Sequence, residues 1–361
     1  MLKETQTRMT KTLLAMLAGV ISLNLLGVIS SIITIILLAV VIIQALLCLP
    51  PGKMLPSTGK AVLITGCDTG IGNLLVRHMH LLGLHVYAGC LNKGCEGATK
   101  LAEEFPERLD ILQMDVTNED EVTKAVEIVR ESLESNGKEL WGVVNNAGIN
   151  ILGEIEWLDT ELIKRVSEVN LWGMVRVTKA TIPLLQQSKG RVVNIGSGCG
   201  LFSFPLSAPY CISKYGVESF TDVLRLELGK WGIKAIVIEP GNFGSATNLF
   251  TEDKIKSVIN GVQKSASEEV KQRYGQAYFE CISDYLCDLC RTSAGSADLS
   301  PVISNITEAL LIEHPQHRYM PATIPWKMFV NIHRLLPTKL TDLLYFKILN
   351  YFNQKLECRK K

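Results

Sequence analysis

The sequence predicts an α/β chain built on a doubly wound parallel sheet, preceded by an apolar N-terminal segment and followed by a helical extension. Three observations carry this expectation. From Lys60 to about Asn242, short β-branched runs alternate with longer amphipathic stretches, the pattern of strand–helix–strand units. The strand-like runs are apolar nearly throughout, as strands covered on both faces are. The 361-residue chain is 47% hydrophobic and 20% charged, which suits a packed core and excludes a disordered or collagen-like chain.

The N-terminal segment comes first. Residues 1–12 carry Lys3, Arg8 and Lys11, and from Leu13 to Gly52 there is no charged residue, a run of 40. As a helix it would be roughly 60 Å long, twice a hydrocarbon core of ~30 Å. It is also longer than the apolar stretch of about 7–15 residues in a signal peptide. A retained membrane anchor over 13–52 is expected, as one long helix or two short ones bent near Gly27, Ser30 and Ser31. A mitochondrial leader would suit the three cations but not the unbroken apolar run. Pro50 and Pro51 end the run, and Pro56 to Gly59 reads as a linker.

The α/β domain is expected over 57–330. Its strand-like runs are Ala61–Thr65, Leu84–Cys90, Leu109–Val116, Trp141–Asn145, Gly190–Ile195 and Ile233–Glu239. Helical stretches lie between them; Val122, Val126, Val129 and Leu133 fall on one face of such a helix. Beyond about Asn242 the alternation stops, and a mostly helical region runs from Leu249 to Glu313. The tail, 331–361, places Leu335, Leu336, Leu340, Leu343, Leu344, Ile348, Leu349 and Phe352 before Lys355, Arg359, Lys360 and Lys361. An apolar helix face with a basic end suits a membrane surface; packing on its own domain is the equal alternative.

Lys and Arg total 37 against 36 for Asp and Glu, a net charge of +1, so no basic field exists to hold nucleic acid. Ten cysteines are too sparse for a disulfide scaffold. Cys287 and Cys290 have metal spacing but lack a second pair, so no metal site is expected. Asn305-Ile-Thr307 fits a glycosylation sequon inside a helical stretch. His314 and His317 are expected in a loop at the pocket edge.

Two motifs carry the chemistry. Thr65 to Gly72 follows the first strand and opens a helix. Gly66 permits a tight turn, Gly70 lets the backbone approach a pyrophosphate at the helix N-terminus, and Gly72 lets helix and strand pack closely. Gly66, Asp68, Thr69, Gly70, Ile71 and Gly72 are therefore candidate contacts to a dinucleotide. Further on, Tyr210 and Lys214 are four apart and share a helix face, Ser197 precedes Tyr210 by thirteen residues, and Asn170 follows Asn145-Asn146-Ala147-Gly148.

On these residues the chain resembles the short-chain dehydrogenase/reductase family, from about Lys60 to about Tyr319. Within it, the stretches Trp141 to Gly148, Glu168 to Gly173 and Leu224 to Ile233 look most like a membrane-associated branch that holds steroid, retinol and 3-hydroxybutyrate dehydrogenases. The resemblance implies a Rossmann-type sheet and a catalytic set of Asn170, Ser197, Tyr210 and Lys214. It implies that Lys214 also bonds the nicotinamide ribose and that Asn170 fixes a water in a proton relay. It adds Asp115, Asn146, Ala147, Gly148, Pro240 and Gly241 to the cofactor contacts. A carboxamide contact is implied after Pro240-Gly241, with Ser245 taken and Thr247 open.

The residues give the same chemistry. A free phenol of pKa about 10 is a poor base at neutral pH. A lysine cation ~5 Å away contributes roughly 3 kcal/mol at an effective dielectric of ~20, or about two pKa units. Lys214 is thus expected to draw Tyr210 down toward a workable range, with Ser197 steadying the substrate oxygen.

The second strand ends Cys90-Leu91-Asn92 with no arginine to pair a 2′-phosphate, so NAD is expected over NADP, with Lys93 the counter-signal. The segment Gly198 to Pro209 holds Leu201, Phe202, Phe204 and Leu206 and no cation. A lipophilic alcohol or ketone, steroid or retinoid, is therefore expected over 3-hydroxybutyrate, whose carboxylate needs a cation such as His317, Arg318 or one from the helical lid. A catalytically silent dinucleotide-binding scaffold is the remote alternative. The expected location is the endoplasmic reticulum membrane, with the mitochondrial inner membrane as alternative, and the resemblance implies a homo-oligomer.

Overall fold

The computed structural model describes residues 18–19, 22, 33–36, 38–39, 52–343, 345–346 and 350, apart from 242, 248 and 293–296. The chain divides into a unit Met1–Lys53 and a unit Met54–Lys361. In the first, the described residues 18–19, 22, 33–36 and 38–39 are helical. Most of the run 13–52 expected as an anchor lies outside the described residues. Among the described residues no helix is long and apolar enough to cross a membrane.

The second unit is a seven-stranded sheet of order β3-β2-β1-β4-β5-β6-β7, parallel throughout. The strands are β1 (Lys60–Thr65), β2 (His85–Cys90), β3 (Leu109–Gln113), β4 (Glu139–Asn145), β5 (Arg191–Ile195), β6 (Lys234–Ile238) and β7 (Arg318–Tyr319). The connecting helices are α1 (Gly70–Leu81), α2 (Glu96–Glu104), α3 (Glu119–Asn136), α4 (Thr160–Ser167), α5 (Met174–Ser188) and α6 (Ala208–Leu228). Then follow α7 (Glu252–Ser265), α8 (Glu268–Tyr274), α9 (Gln276–Thr292), α10 (Ser300–Leu311) and α11 (Ile324–Leu335).

Alternate strand residues enter two cores, because successive side chains of a strand point to opposite faces. Val62 and Ile64 of β1 join Leu75 and Met79 of α1, Leu101 of α2, and Val302 and Ile306 of α10. Ala61 and Leu63 join the opposite layer, where Val122, Val126, Val129 and Leu133 of α3 pack with Val177 of α5 and Leu224 of α6. The helix face read from the sequence is thus the buried one. Asn118 caps α3, accepting from the N–H groups of Asp120 and Glu121 at 3.0 and 3.2 Å.

Two details differ from the sequence reading. β3 ends at Gln113 rather than Val116, and the Asp115 N–H donates to Glu121 Oε2 at 2.8 Å instead of to a strand. The helices expected between Leu249 and Glu313 are α7 to α10, and beyond them the short β7, not expected, adds beside β6. Two residues, one of them arginine, leave no periodicity to read. The main-chain carbonyl of His317 accepts from Val237 at the start of that pairing, so His317 belongs to the sheet margin; neither it nor His314 lines the pocket.

A third apolar core lies in the lid. Ile255, Ile259 and Val262 of α7 and Phe279, Ile282 and Leu286 of α9 pack with Leu152, Trp157 and Leu206. Cys287 and Cys290 are buried in it, with the Cys290 thiol donating to the Phe250 carbonyl at 3.2 Å.

Candidate active site

The carboxyl ends of the strands open into a cavity of about 910 Å³. One end is the glycine-rich turn between β1 and α1. Gly66 has φ +70°, and a Cβ on it would stand 2.8 Å from Ala147 Cα. A Cβ on Gly72 would stand 2.2 Å from the Gly66 carbonyl oxygen, so a side chain would break the turn. Asn146 closes it from β4, its Nδ2 donating to the carbonyls of Thr65 and Gly66 at 2.9 and 3.1 Å. No side chain caps α1, whose first residues Gly70 and Ile71 line the cavity with Thr69. A tight cradle leading to an uncapped helix N-terminus fits a pyrophosphate.

Asp68 stands at the rim. Its Oδ2 accepts from the Leu91 N–H at 3.0 Å and its Oδ1 from the Asn92 N–H at 3.1 Å. The carboxylate therefore pins the loop after β2. Asp115 is also on the wall, with Oδ1 accepting from the N–H and hydroxyl of Thr117 at 2.9 and 2.8 Å. Ala147, Gly148, Pro240 and Gly241 line the cavity too. Thr247 stands on the wall, its main chain 3.4 Å from where a Gly70 Cβ would be. Ser245 lies in the 3-10 turn Gly244–Ala246, and its side chain is outside the described residues.

Farther in, Ser197, Tyr210 and Lys214 come together on the cavity wall. Ser197 follows β5 in extended backbone, and its Oγ accepts from the Cys199 N–H at 3.2 Å. Tyr210 and Lys214 sit one turn apart on α6. The lysine ammonium lies 5.5 Å from the tyrosine ring centroid and donates to the Ile195 carbonyl at 2.7 Å.

Asn170 is fully buried in a π-helical turn, Glu168–Gly173, and does not line the cavity. Its Nδ2 donates to the Ile149 carbonyl at 2.9 Å and to Ser213 Oγ at 3.0 Å, and its Oδ1 accepts from the Ile149 N–H at 2.8 Å. The Ser213 hydroxyl in turn donates to the Tyr210 carbonyl at 2.8 Å. Both amide hydrogens are used within the protein, so the side chain braces α6 against the loop after β4.

The electrostatics also depart from expectation. Burial pushes the Tyr210 phenol above its ordinary value, the negative potential of Cys199 adds to that, and the hydrogen bond to Ser197 opposes it. Burial pulls Lys214 down to about 8, with Glu218 and Cys199 pushing it back up. Burial is the largest cause of both shifts, which the residue spacing alone could not reveal.

The cavity that holds Ser197 and Tyr210 is also lined by the apolar Leu152, Phe202, Phe204, Phe250, Leu286 and Trp326. Phe202 stacks edge-on against Trp326 at 5.7 Å between centroids. Of the four apolar residues read from the loop before Tyr210, Phe202 and Phe204 line the cavity, while Leu206 packs into the lid core and Leu201 does not line the cavity. Arg318 is not a cavity cation. It is held by Glu218, Glu239 and Asp222, the last two at 2.6 and 2.8 Å. Lys254 of α7 does line the cavity, with Lys164 and Arg165 of α4. Sequence reading missed Asp68 as a loop anchor and Trp326 as a wall residue. The first signal lay within the glycine-rich turn itself; the second, 85 residues after Gly241, had none.

Residues 60–256 match the short chain dehydrogenase family. The chain is 44% identical to the mitochondrial D-beta-hydroxybutyrate dehydrogenase of Bos taurus over 80% of its own length and 85% of that protein. It is 39% identical to retinol dehydrogenase 7 of Rattus norvegicus, covering 80% and 88%. It is 36% identical to 17-beta-hydroxysteroid dehydrogenase type 6 of Homo sapiens, covering 79% and 87%. In fold it is similar to a short-chain dehydrogenase from Streptomyces avermitilis, with a TM-score of 0.59 at 22% identity over 81% of this chain and 98% of that one. The parallel sheet, the glycine cradle and these similarities agree: the chain belongs to the short-chain dehydrogenase family, which binds a nicotinamide dinucleotide, and it is a dehydrogenase acting on hydroxyl groups.

Proposed function

We propose that this chain is a membrane-anchored, NAD-dependent dehydrogenase that interconverts a hydroxyl and a carbonyl on a steroid or retinoid. The observation that carries the substrate class is the apolar part of the cavity that holds Ser197 and Tyr210, to which Phe202, Phe204, Phe250, Leu286 and Trp326 contribute. Such a wall gains free energy by covering a lipophilic ring system and gives a small hydroxy acid little to bind.

Tyr210 exchanges the proton of the substrate oxygen, and Ser197 donates a hydrogen bond to that oxygen as charge develops on it. The Lys214 ammonium favours the tyrosinate and would hold the ribose of a bound dinucleotide, while Asn170 holds the helix that carries both. When bound, the dinucleotide would supply the hydride acceptor. Gly66, Asp68, Thr69, Gly70, Ile71, Asp115, Asn146, Ala147, Gly148, Pro240, Gly241 and Thr247 would form its binding cleft, with Gly72 packed beneath the turn. Asp68 supports the choice of NAD: its carboxylate puts negative charge beside the loop after β2, where a 2′-phosphate would be repelled.

A second reading is kept for 3-hydroxybutyrate. Lys254 in the lid provides the cation that the loop before Tyr210 lacks, and the chain is similar to hydroxybutyrate dehydrogenases. The test is turnover by the purified full-length enzyme of estradiol, testosterone, retinol and 3-hydroxybutyrate with both dinucleotides. Steroid or retinol oxidation with NAD is expected; efficient turnover of 3-hydroxybutyrate alone would reverse the order of the two readings.

A further inference from the structure

Glu218 lies one helical turn beyond Lys214 on α6, and both side chains are buried. It does not line the cavity. Its Oε2 accepts from Arg318 Nη1, the same nitrogen donates to Glu239 Oε1 at 2.6 Å, and Arg318 Nη2 reaches Asp222 Oδ2 at 2.8 Å. The other oxygen of Glu218, Oε1, is buried with no hydrogen-bond partner. It faces the segment that carries Ser197. A Cβ built on Gly196 would stand 2.7 Å from this oxygen, and one on Gly200 would stand 2.9 Å from Glu218 Cγ. A half-satisfied buried carboxylate is costly and weak as a stabilising device, so its place behind the Ser197–Tyr210–Lys214 cluster calls for another reason.

We propose that Glu218, held by Arg318 and Glu239, is a positioning residue whose negative charge keeps the Lys214 ammonium charged and so sets the pH range in which Tyr210 and Lys214 work. The inference rests on reading those two residues as the acid–base pair. Lys214 is faced by Glu218 from its own helix and by Cys199 from the 3-10 turn after β5. Glu218 is faced by Glu239 after β6 and by Arg318 of β7, with Asp222 of α6 on the far side of the arginine. Burial and then Glu239 raise the Glu218 carboxyl to about 7, and Arg318 opposes them. Above that pH the carboxylate predominates and opposes the desolvation that pulls Lys214 down to about 8.

Glu218→Gln keeps the shape and the acceptor for Arg318 and removes the charge. Glu218→Met removes charge and polarity together, and Arg318 keeps Asp222 and Glu239 in either variant. The experiment measures kcat/KM against pH for the full-length enzyme and both variants on the best substrate of the wild type, with Tyr210→Phe alongside. The alkaline limb is expected to move to lower pH by about one unit, because Lys214 loses a negative neighbour, while the acid limb stays in place. The variants then lose roughly tenfold on the alkaline side while keeping activity on the acid side. A uniform loss at every pH, with both limbs in place, would mean a purely structural role and overturn the proposal. If Tyr210→Phe is inactive and the alkaline limb does not move, the proposal alone fails. If Tyr210→Phe retains turnover, the acid–base reading fails and takes the proposal with it.

Discussion

The ammonium of Lys214 donates to the main-chain carbonyl of Ile195 at 2.7 Å, joining α6 to the last residue of β5 two positions before Ser197. One bond thereby fixes the spacing of three residues that the sequence holds seventeen positions apart. The hydrogen bond does not cancel the cost of burial, since Lys214 is drawn down to about 8.

That cost gives a stability test. The folded chain holds Lys214 less tightly protonated than the unfolded chain, whose lysines titrate near 10.5. Between about pH 8 and 10.5 the unfolded state binds the extra proton, so this group's contribution rises with pH across that window and is most unfavourable below it. Lys214→Met should therefore raise Tm at pH 7, by a stabilisation on the order of 3 kcal/mol less whatever the lost Ile195 bond contributed. The gain should shrink as the pH approaches 10. Thermal unfolding at pH 7 and pH 9.5 decides it; a loss of stability at pH 7 would mean that the Ile195 bond outweighs desolvation.

How much of this was legible beforehand depended on the range of each interaction. The strand runs and the Val122–Leu133 helix face were readable because burial on both sides of a parallel sheet imposes local patterns. Tyr210, Lys214 and Ser197 were readable because helix spacing and a strand end fix them. The Arg318–Glu218–Glu239 cluster was not, since it joins residues up to 100 positions apart and each alone reads as a solvated charge. Nor was the place of Asn170 behind the wall, which depends on a π-helical turn that no periodicity announces. The sign of the Tyr210 shift was missed for a related reason: sequence spacing supplies charge neighbours, whereas desolvation is a property of the finished fold.

The proposed preference for NAD is tested at the loop after β2. Asp68 pins the Leu91 and Asn92 amides, and Leu91 projects onto the cavity wall. Leu91→Arg should narrow or reverse the preference for NAD by supplying a fork for a 2′-phosphate. Asp68→Asn, which removes charge and keeps an acceptor, should raise kcat/KM with NADP by about tenfold relative to NAD. Kinetics with both dinucleotides check this; a wild type that already favours NADP would point instead to Lys93.

Anchoring is tested without reference to catalysis. Forty uncharged residues from Leu13 to Gly52 would expose a large apolar surface to water, at ~25 cal/mol per Å². The full chain is expected to sediment with membranes and to resist alkaline carbonate. A variant beginning at Met54, the first residue of the unit that holds the sheet, should lose that resistance. Quantitative release of the full chain into the carbonate supernatant would rule out an integral anchor.

Substrate class depends on which wall residues the substrate uses. Phe204 and Lys254 both line the cavity, Phe204 from the loop before Tyr210 and Lys254 from the lid helix α7. They favour opposite substrates: a ring system gains by covering Phe204, whereas a carboxylate gains by pairing with Lys254. Phe204→Arg should lower kcat/KM for a steroid or retinol by about tenfold or more, because a guanidinium in an apolar wall must be desolvated when the ligand binds. The same change should leave a hydroxy acid unaffected or help it. Lys254→Met should do the reverse, sparing lipophilic substrates and weakening any 3-hydroxybutyrate turnover, chiefly in KM. Each variant serves as control for the other, since a general disturbance of the lid would depress both substrates together. Were Lys254→Met to abolish the only activity found while Phe204→Arg left it intact, the pocket would be one for a small carboxylate and the steroid or retinoid reading would fall.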